Sequence, residues 1–270
     1  MKKIFVHKMH VLGNDFVIID ENELLHLNLN YKILASSISN IHTSVGCDQL
    51  IIYKKSSQYK EISMLIFNKD GSEADMCGNA CFCLAKIFFD KFNLQELSIR
   101  INNHLVKTKY LSSDVISINI GSPNLNIKKL ENLKDLYSFF SSYNIDPKEI
   151  CYVDVANPHL VFFVKLDMKD QKIIGSQLQT IVQGGINVNF AYKKDDAIYL
   201  NVWERGSGFT LACGSGASAS FAAARKLGFI ENQVKIIFPL GELQMSINSL
   251  EEVLIQGRAN YIFQGDLFIG

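Results

Sequence analysis

Two cysteines, Cys77 and Cys213, open the same short phrase. One reads Cys77-Gly78-Asn79-Ala80, the other Cys213-Gly214-Ser215-Gly216, and each runs into a stretch of small residues that reads as a helix. The match extends upstream. Asn68 and Glu204 stand equally far ahead of their cysteines, each ending a strand-like run (64–67 and 200–203), and the loops between, 69–76 and 205–212, are equal in length. A cysteine at a helix N-terminus faces unpaired backbone N–H groups and the positive end of the helix dipole, and both favour the thiolate. The N–H groups of Gly78, Asn79, Gly214 and Ser215 can bind a carboxylate, and the glycines let backbone come close to a ligand. If the two helices face one another across a cleft, one carboxylate held by both places a thiol on each face of its α-carbon. That suits inversion of an amino-acid α-carbon. One thiolate removes the proton, the opposite thiol supplies another, and oriented donors stabilise the charge spreading into the carboxylate. The expected cofactor is none, and no phosphate-cradling glycine loop or cofactor-anchoring motif is present.

The elements that must position these groups also repeat. In the first half, strand-like runs at 3–10 and 16–20 flank Gly13-Asn14-Asp15, a short helix follows at 34–40, and strands follow at 49–53 and 62–67. The helix expected at 79–92 is apolar nearly all round, as in a helix enclosed by its own domain. Strands at 97–101, 105–110 and 115–120 lead to Gly121-Ser122-Pro123, where we place a boundary. In the second half, strands at 151–155 and 160–165 flank Ala156-Asn157-Pro158-His159. A helix-like region ends near Gln183-Gly184-Gly185, and 187–192 resumes a strand. The second cysteine helix, 215–227, stops at Gly228, a natural C-terminal cap. Strands at 234–238, 243–247, 253–256 and 260–263 complete it. The expected fold class is α+β: two pseudo-symmetric domains, each a mostly antiparallel sheet around a buried central helix.

Bulk properties narrow the function classes. With 270 residues, 48% hydrophobic and 20% charged, the chain is an ordinary globular protein. A formal net charge of +0 gives no electrostatic reason to bind nucleic acid or an acidic membrane, and neither is expected as a partner. The lysine pairs Lys54-Lys55, Lys128-Lys129 and Lys193-Lys194 read as solvated surface. Arginine is confined to Arg100, Arg205, Arg225 and Arg258, which gives weight to Arg205 inside a motif. Polar residues interrupt the N-terminus, so no signal peptide is expected, and no run approaches the ~18 apolar residues of a membrane span. The expected location is cytoplasmic, where the six cysteines stay reduced.

The motifs taken together resemble the diaminopimelate epimerase family over nearly the whole chain. They are Met9-His10-x-Leu12-Gly13-Asn14-Asp15-Phe16-Val17, Gly46-x-Asp48-Gln49-Leu50, Phe67-Asn68-x-Asp70-Gly71-Ser72-Glu73 ahead of Cys77-Gly78-Asn79, and Asn157-Pro158-His159. Asn187-Val188-x-Phe190 and Glu204-Arg205-Gly206-x-Gly208-x-Thr210-x-Ala212-Cys213-Gly214-x-Gly216-Ala217 complete the set. The resemblance implies cofactor-independent epimerisation of L,L-diaminopimelate to the meso form, in the supply of lysine and peptidoglycan precursors. Cys77 and Cys213 would be the acid/base pair. Asn14, Gln49, Asn68, Gly78, Asn79, Asn157, Asn187, Glu204, Arg205, Gly214 and Ser215 would bind substrate, with Arg205 suited to a distal carboxylate. His159 and Glu204 would tune the thiols. The resemblance also implies an active site in the interdomain cleft, a homodimer, and a C-terminal strand returning to the first domain. The domains are thus 1–120 with 258–270, and 121–257. The chain departs from the family pattern at Ala80 and Phe82, where Gly and Arg are usual, and Ser215 keeps the hydroxyl of a usual Thr.

Two other classes compete. One is a racemase of the same fold acting on histidine or proline, which retention of Arg205 and the asparagines argues against. The other is a thiol or metal-binding protein using Cys77, Cys81, Cys83 and Cys213. On a helix Cys81 lies one turn beyond Cys77 and Cys83 points away from both, so Cys81 and Cys83 are expected in the core and the expected metal is none. Cys47 and Cys151 carry no motif.

Overall fold

A computed structural model describes residues 2–57, 60–125 and 133–269; the Lys128-Lys129 pair lies outside them. The chain divides into two compact units, Met1–Ile120 with Gln256–Gly270, and Gly121–Ile255. Among the described residues no helix is long and apolar enough to cross a membrane.

The first unit runs β1 (Lys2–Val11), β2 (Asn14–Asp20), α1 (Tyr31–Ile38), β3 (Gln49–Lys55), β4 (Glu61–Asn68), α2 (Gly78–Phe92), β5 (Glu96–Ile101), β6 (His104–Ser112) and β7 (Val115–Asn119). The strands lie side by side in chain order. Pairs are antiparallel except β2–β3 and β4–β5. Each parallel pair needs a crossover, and α1 and α2 supply the two. Strand alternation sorts the core. Val17, Ile19, Leu50 and Ile52 pack with Leu34, Ala35 and Ile38 of α1. Their strand neighbours Phe16, Ile18 and Ile51 are fully buried and face the other way. Helix α2 touches β1 and β7 as well as β5 and β6, so the sheet curls around it. Its residues from Gly78 to Ala85 are all buried, as the apolar pattern predicts. Phe82 is fully enclosed, a burial that contributes ~1.5–3 kcal/mol.

The second unit repeats the plan. It comprises α3 (Leu133–Ser142), β8 (Ile150–Asp154), β9 (Pro158–Phe162), α4 (Met168–Ile181), β10 (Asn187–Lys194), β11 (Ala197–Glu204), β12 (Gly208–Thr210), α5 (Gly214–Lys226), β13 (Gln233–Phe238), β14 (Gly241–Ile247) and β15 (Val253–Gly257). The order is again β8, β9, β10, β11, β13, β14, β15. The parallel pairs fall at the equivalent places, β9–β10 and β11–β13, joined through α4 and α5. Helix α5 touches β8 through β11, β13 and β14. Its alanines and serines bring it close to those strands.

Three expectations are corrected. The segment 205–212 is not all loop, because β12 folds back on β11, pairing Gly208 with Glu204 and Thr210 with Val202. The short helix starts at Tyr31, not at 34, since Asn30 caps it by accepting from the N–H groups of Lys32 and Ile33. The last strand, β16 (Asn260–Ile269), continues past 263 because β1 supplies a partner along its length, from His10↔Asn260 to Lys2↔Ile269.

Candidate active site

In the first unit the chain enters α2 through Cys77, the N-cap residue, in extended conformation (φ −146°, ψ 98°). Cys77 is 8% exposed and Asn79 2%. Asn79 Nδ2 donates to Asn14 Oδ1 at 3.1 Å, tying the first turn of α2 to the start of β2. Asn14 is held in turn: its Nδ2 donates to Asp48 Oδ2 at 3.1 Å. The same carboxylate accepts the Asp15 N–H at 3.1 Å and pairs with Lys69 Nζ at 2.8 Å. Burial works to raise the Asp48 pKa, but the bonds from Lys69, Asp15 and Asn14 outweigh it and hold the carboxyl below its usual range. Beneath this chain the buried Lys8 pairs with Asp15 at 2.6 Å and donates to the Gly46 carbonyl. Beside it, Gln49 Nε2 donates to Asn68 Oδ1 at 2.9 Å across β3 and β4.

The second unit builds its counterpart on α5. Cys213 is the N-cap (φ −141°, ψ 114°), and its Sγ accepts the Gly216 N–H at 3.3 Å and lies 3.3 Å from Ser215 Oγ. Burial pushes this thiol well above its ordinary pKa. The Glu204 carboxylate adds to that, while Ser215 and the Gly216 N–H oppose it. Cys213 therefore rests as the thiol. Glu204 Oε1 accepts from Thr210 Oγ1 at 2.5 Å, and β12 is what brings Thr210 there. Asn187 Nδ2 donates to the Pro158 carbonyl at 3.0 Å, while its Oδ1 accepts the Arg205 N–H at 2.9 Å. Asn157 Nδ2 donates to Ser215 Oγ at 3.2 Å. His159 is fully buried, 3.0 Å from Ser215 Oγ through Nε2 and 2.9 Å from Asn189 Oδ1 through Nδ1. Burial lowers its pKa to about 4, so the imidazole is neutral.

The strand register makes the repetition residue-specific. Phe16, Gln49 and Asn68 lie across β2, β3 and β4. His159 pairs with Asn187 across β9 and β10, and Val188 with Trp203, which sets Asn187 beside Glu204. Asn14 corresponds to Asn157, Gln49 to Asn187, Asn68 to Glu204, Cys77 to Cys213 and Asn79 to Ser215. The Asn14–Asn79 bond and the Asn157–Ser215 bond join equivalent positions, with the donor on the helix in the first and on the asparagine outside it in the second. The structure thus groups Asn14, Gly78 and Asn79 at the entry to α2, with Gln49 and Asn68 paired on the adjoining strands β3 and β4. It groups Asn157, His159, Asn187, Glu204, Arg205, Gly214 and Ser215 around the entry to α5. Sequence reading assigned no role to Asp48, Asn189 or Thr210, although Asp48 and Thr210 stand inside quoted motifs.

The remaining cysteines differ in kind. Cys81 and Cys83 are fully enclosed and burial raises both thiols well above their ordinary values, as expected of core residues. Cys47 and Cys151 are buried and raised for the same reason. Among the described residues no cluster of His, Cys, Asp or Glu is arranged to hold a metal ion.

Comparison with known proteins fits this geometry. The sequence model of the family described as "Diaminopimelate epimerase" matches residues 6–125 and 151–262. The diaminopimelate epimerase of Rickettsia massiliae (strain Mtu5) is 42% identical over 270 residues, covering 99% of this chain and 98% of its own. Among solved structures, a predicted epimerase from Pseudomonas aeruginosa superposes with a TM-score of 0.76 at 12% identity, covering 99% of this chain and 100% of that one. A hydroxyproline epimerase from Agrobacterium vitis with bound trans-4-hydroxy-L-proline gives 0.66 at 10% identity, covering 98% and 92%. At such identities the structures share the fold and no more.

Proposed function

We propose, for a chain that belongs to the diaminopimelate epimerase family, that Cys77 and Cys213 are the two bases of the epimerisation. The family's reaction interconverts L,L- and meso-diaminopimelate. The observation that carries the assignment is the duplicated entry: each unit opens a buried helix on a cysteine followed by glycine. One thiolate takes the α-proton and the other thiol delivers a proton to the opposite face. Main-chain N–H groups of Gly78, Asn79, Gly214 and Ser215 hold the reacting carboxylate, where a preorganised donor stabilises developing charge most. Arg205 and Glu204 read the distal amino acid end, with Asn14, Gln49, Asn68, Asn157 and Asn187 as supporting ligands. The step as proposed needs no cofactor. A cytoplasmic location and a role in supplying lysine and peptidoglycan precursors follow as part of the same reading.

The decisive experiment follows L,L-diaminopimelate by proton NMR in D2O with reduced protein, beside Cys77→Ala and Cys213→Ala. Wild type should lose the α-proton signal while the meso isomer forms, and neither variant should epimerise. Epimerisation that survives either substitution would overturn the two-base assignment. Exchange on a different amino acid, with none on this one, would move the substrate.

The proposed assembly is a homodimer. Strand β16 ends the sheet order and exposes Ile262, Phe263 and Phe268, and an apolar sheet edge of this kind favours a second copy. Sedimentation at the mass of one 30.4 kDa chain would refute it.

A further inference from the structure

The hydrogen bonds behind Cys213 form one directed chain, and its direction can be read from its far end. Asn189 is fully buried. Its Nδ2 donates to the Gly216 carbonyl at 2.7 Å and to Ser220 Oγ at 3.0 Å, which fixes the amide and turns Oδ1 toward His159. An oxygen there must accept, so His159 carries its proton on Nδ1, and Nε2 is left as a lone pair. Ser215 Oγ stands 3.0 Å from that lone pair and carries a hydrogen, whereas the Asn157 Oδ1 at 3.2 Å can only accept, so the donor to Nε2 is the Ser215 hydroxyl. With its hydrogen so directed, Ser215 Oγ presents lone pairs to Asn157 Nδ2 and to the Cys213 thiol, 3.3 Å away.

We propose that the Ser215 hydroxyl is a two-position switch serving both protonation states of Cys213, with Asn189 and His159 as the positioning residues that set its resting position. In the thiol state the Ser215 O–H points to His159 Nε2, and the Cys213 S–H is directed at its acceptors, the Glu204 carboxylate and Ser215 Oγ. When the S–H bond breaks and its proton passes to the substrate α-carbon, the sulfur keeps the electron pair. The Ser215 O–H then rotates to donate to the thiolate and joins the Gly216 N–H already there. No proton leaves Ser215 or His159. The switch gives the sulfur a second donor only after transfer, when the nearly enclosed anion faces the Glu204 carboxylate. A direct proton transfer to His159 is disfavoured, because the thiol is raised and the imidazole lowered.

The inference rests on Cys213 being one of the two bases, and its test separates the two claims. Protein labelled with 15N-histidine should show His159 as the neutral Nδ1–H tautomer at pH 7, with His159→Gln identifying the signal. Ser215→Ala should lower kcat about 10- to 100-fold with KM nearly unchanged, the scale of one hydrogen bond to a charged group. Ser215→Thr, which keeps the hydroxyl, should restore it. An Nε2–H tautomer, a Ser215→Ala variant with wild-type kcat, or a loss that Thr does not restore would each overturn the switch. If Cys213→Ala is inactive while Ser215→Ala is not impaired, the switch alone fails. If Cys213→Ala still epimerises, the two-base reading fails first.

Discussion

Among the residues that sequence reading left without a role, Asp48 makes the sharpest test. Its carboxylate accepts from Asn14, from the Asp15 N–H and from Lys69. Truncation leaves two of these donors partly buried and unmet, at about 1–3 kcal/mol. Asp48→Ala should therefore lower kcat/KM about 10- to 100-fold as Asn14 and Asn79 lose their alignment, with a matching loss in urea stability. Lys69→Met should change stability by less than ~1 kcal/mol, since the lysine side chain is 62% exposed and water replaces its pair. Equal effects from the two substitutions would mean that the ion pair, not the Asn14 alignment, carries the role. The contrast also shows what a sequence displays at this scale. Cys77 and Cys213 are legible because their chemistry depends on a local pattern, cysteine then glycine at a helix start. Asp48 and Asn189 act through partners distant in the chain, on other strands, a loop and helix α5, and the spacing of neighbouring residues does not report those contacts.

At the scale of elements the two cysteine helices α2 and α5 were legible, while α3 and the short pairings were not. An all-round apolar run such as α2 announces burial by composition alone. β12 is three residues long and exists because β11 offers an edge, so periodicity carries no trace of it. The fit of α4 on β11 is also invisible in one dimension. Gly175 lies inside α4, and a Cβ built there would stand 2.6 Å from Trp203 Cγ. Alanine improves helix propensity by up to about 1 kcal/mol, while overpacking costs about 1–3 kcal/mol, so the clash should win. Gly175→Ala should lower the unfolding midpoint and shift the emission of Trp203, the single tryptophan of the chain. An unchanged emission spectrum would show that α4 moves away without disturbing β11. Because Trp203 precedes Glu204, a shifted Trp203 should be accompanied by reduced kcat/KM.

For the molecule as a whole, the same β-β-α-β-β-α-β-β-β order occurs twice, with α3 and β12 added in the second unit, and each unit buries one histidine in the neutral form. His7 and His159 both have pKa values lowered to about 4, chiefly by burial. The Lys91 charge adds to this for His7, and Arg205 does so for His159, where Asn189 and Asp154 oppose it. Above the unfolded-state value of about 6.5 neither state binds the proton. As pH falls from about 6.5 toward 4 the unfolded chain takes up protons that the folded chain refuses, so stability falls and then levels off. Each group contributes up to about 1.4 kcal/mol per pH unit in that window. Urea unfolding from pH 7 to pH 4 should show a loss of a few kcal/mol, and a flat profile would contradict the buried neutral histidines.

Strand β16 carries a consequence for the order in which the protein is made. It lies against β1, so Lys2 faces Ile269 and the earliest of the described strands to be synthesised is completed by the latest of them. At about 5–20 residues per second, the outer edge of β1 waits roughly ten to fifty seconds for its partner. Gly121–Ile255, a compact unit in its own right, is synthesised entirely within that interval. The nascent chain therefore grows with one edge of β1 unpaired until β16 has been made.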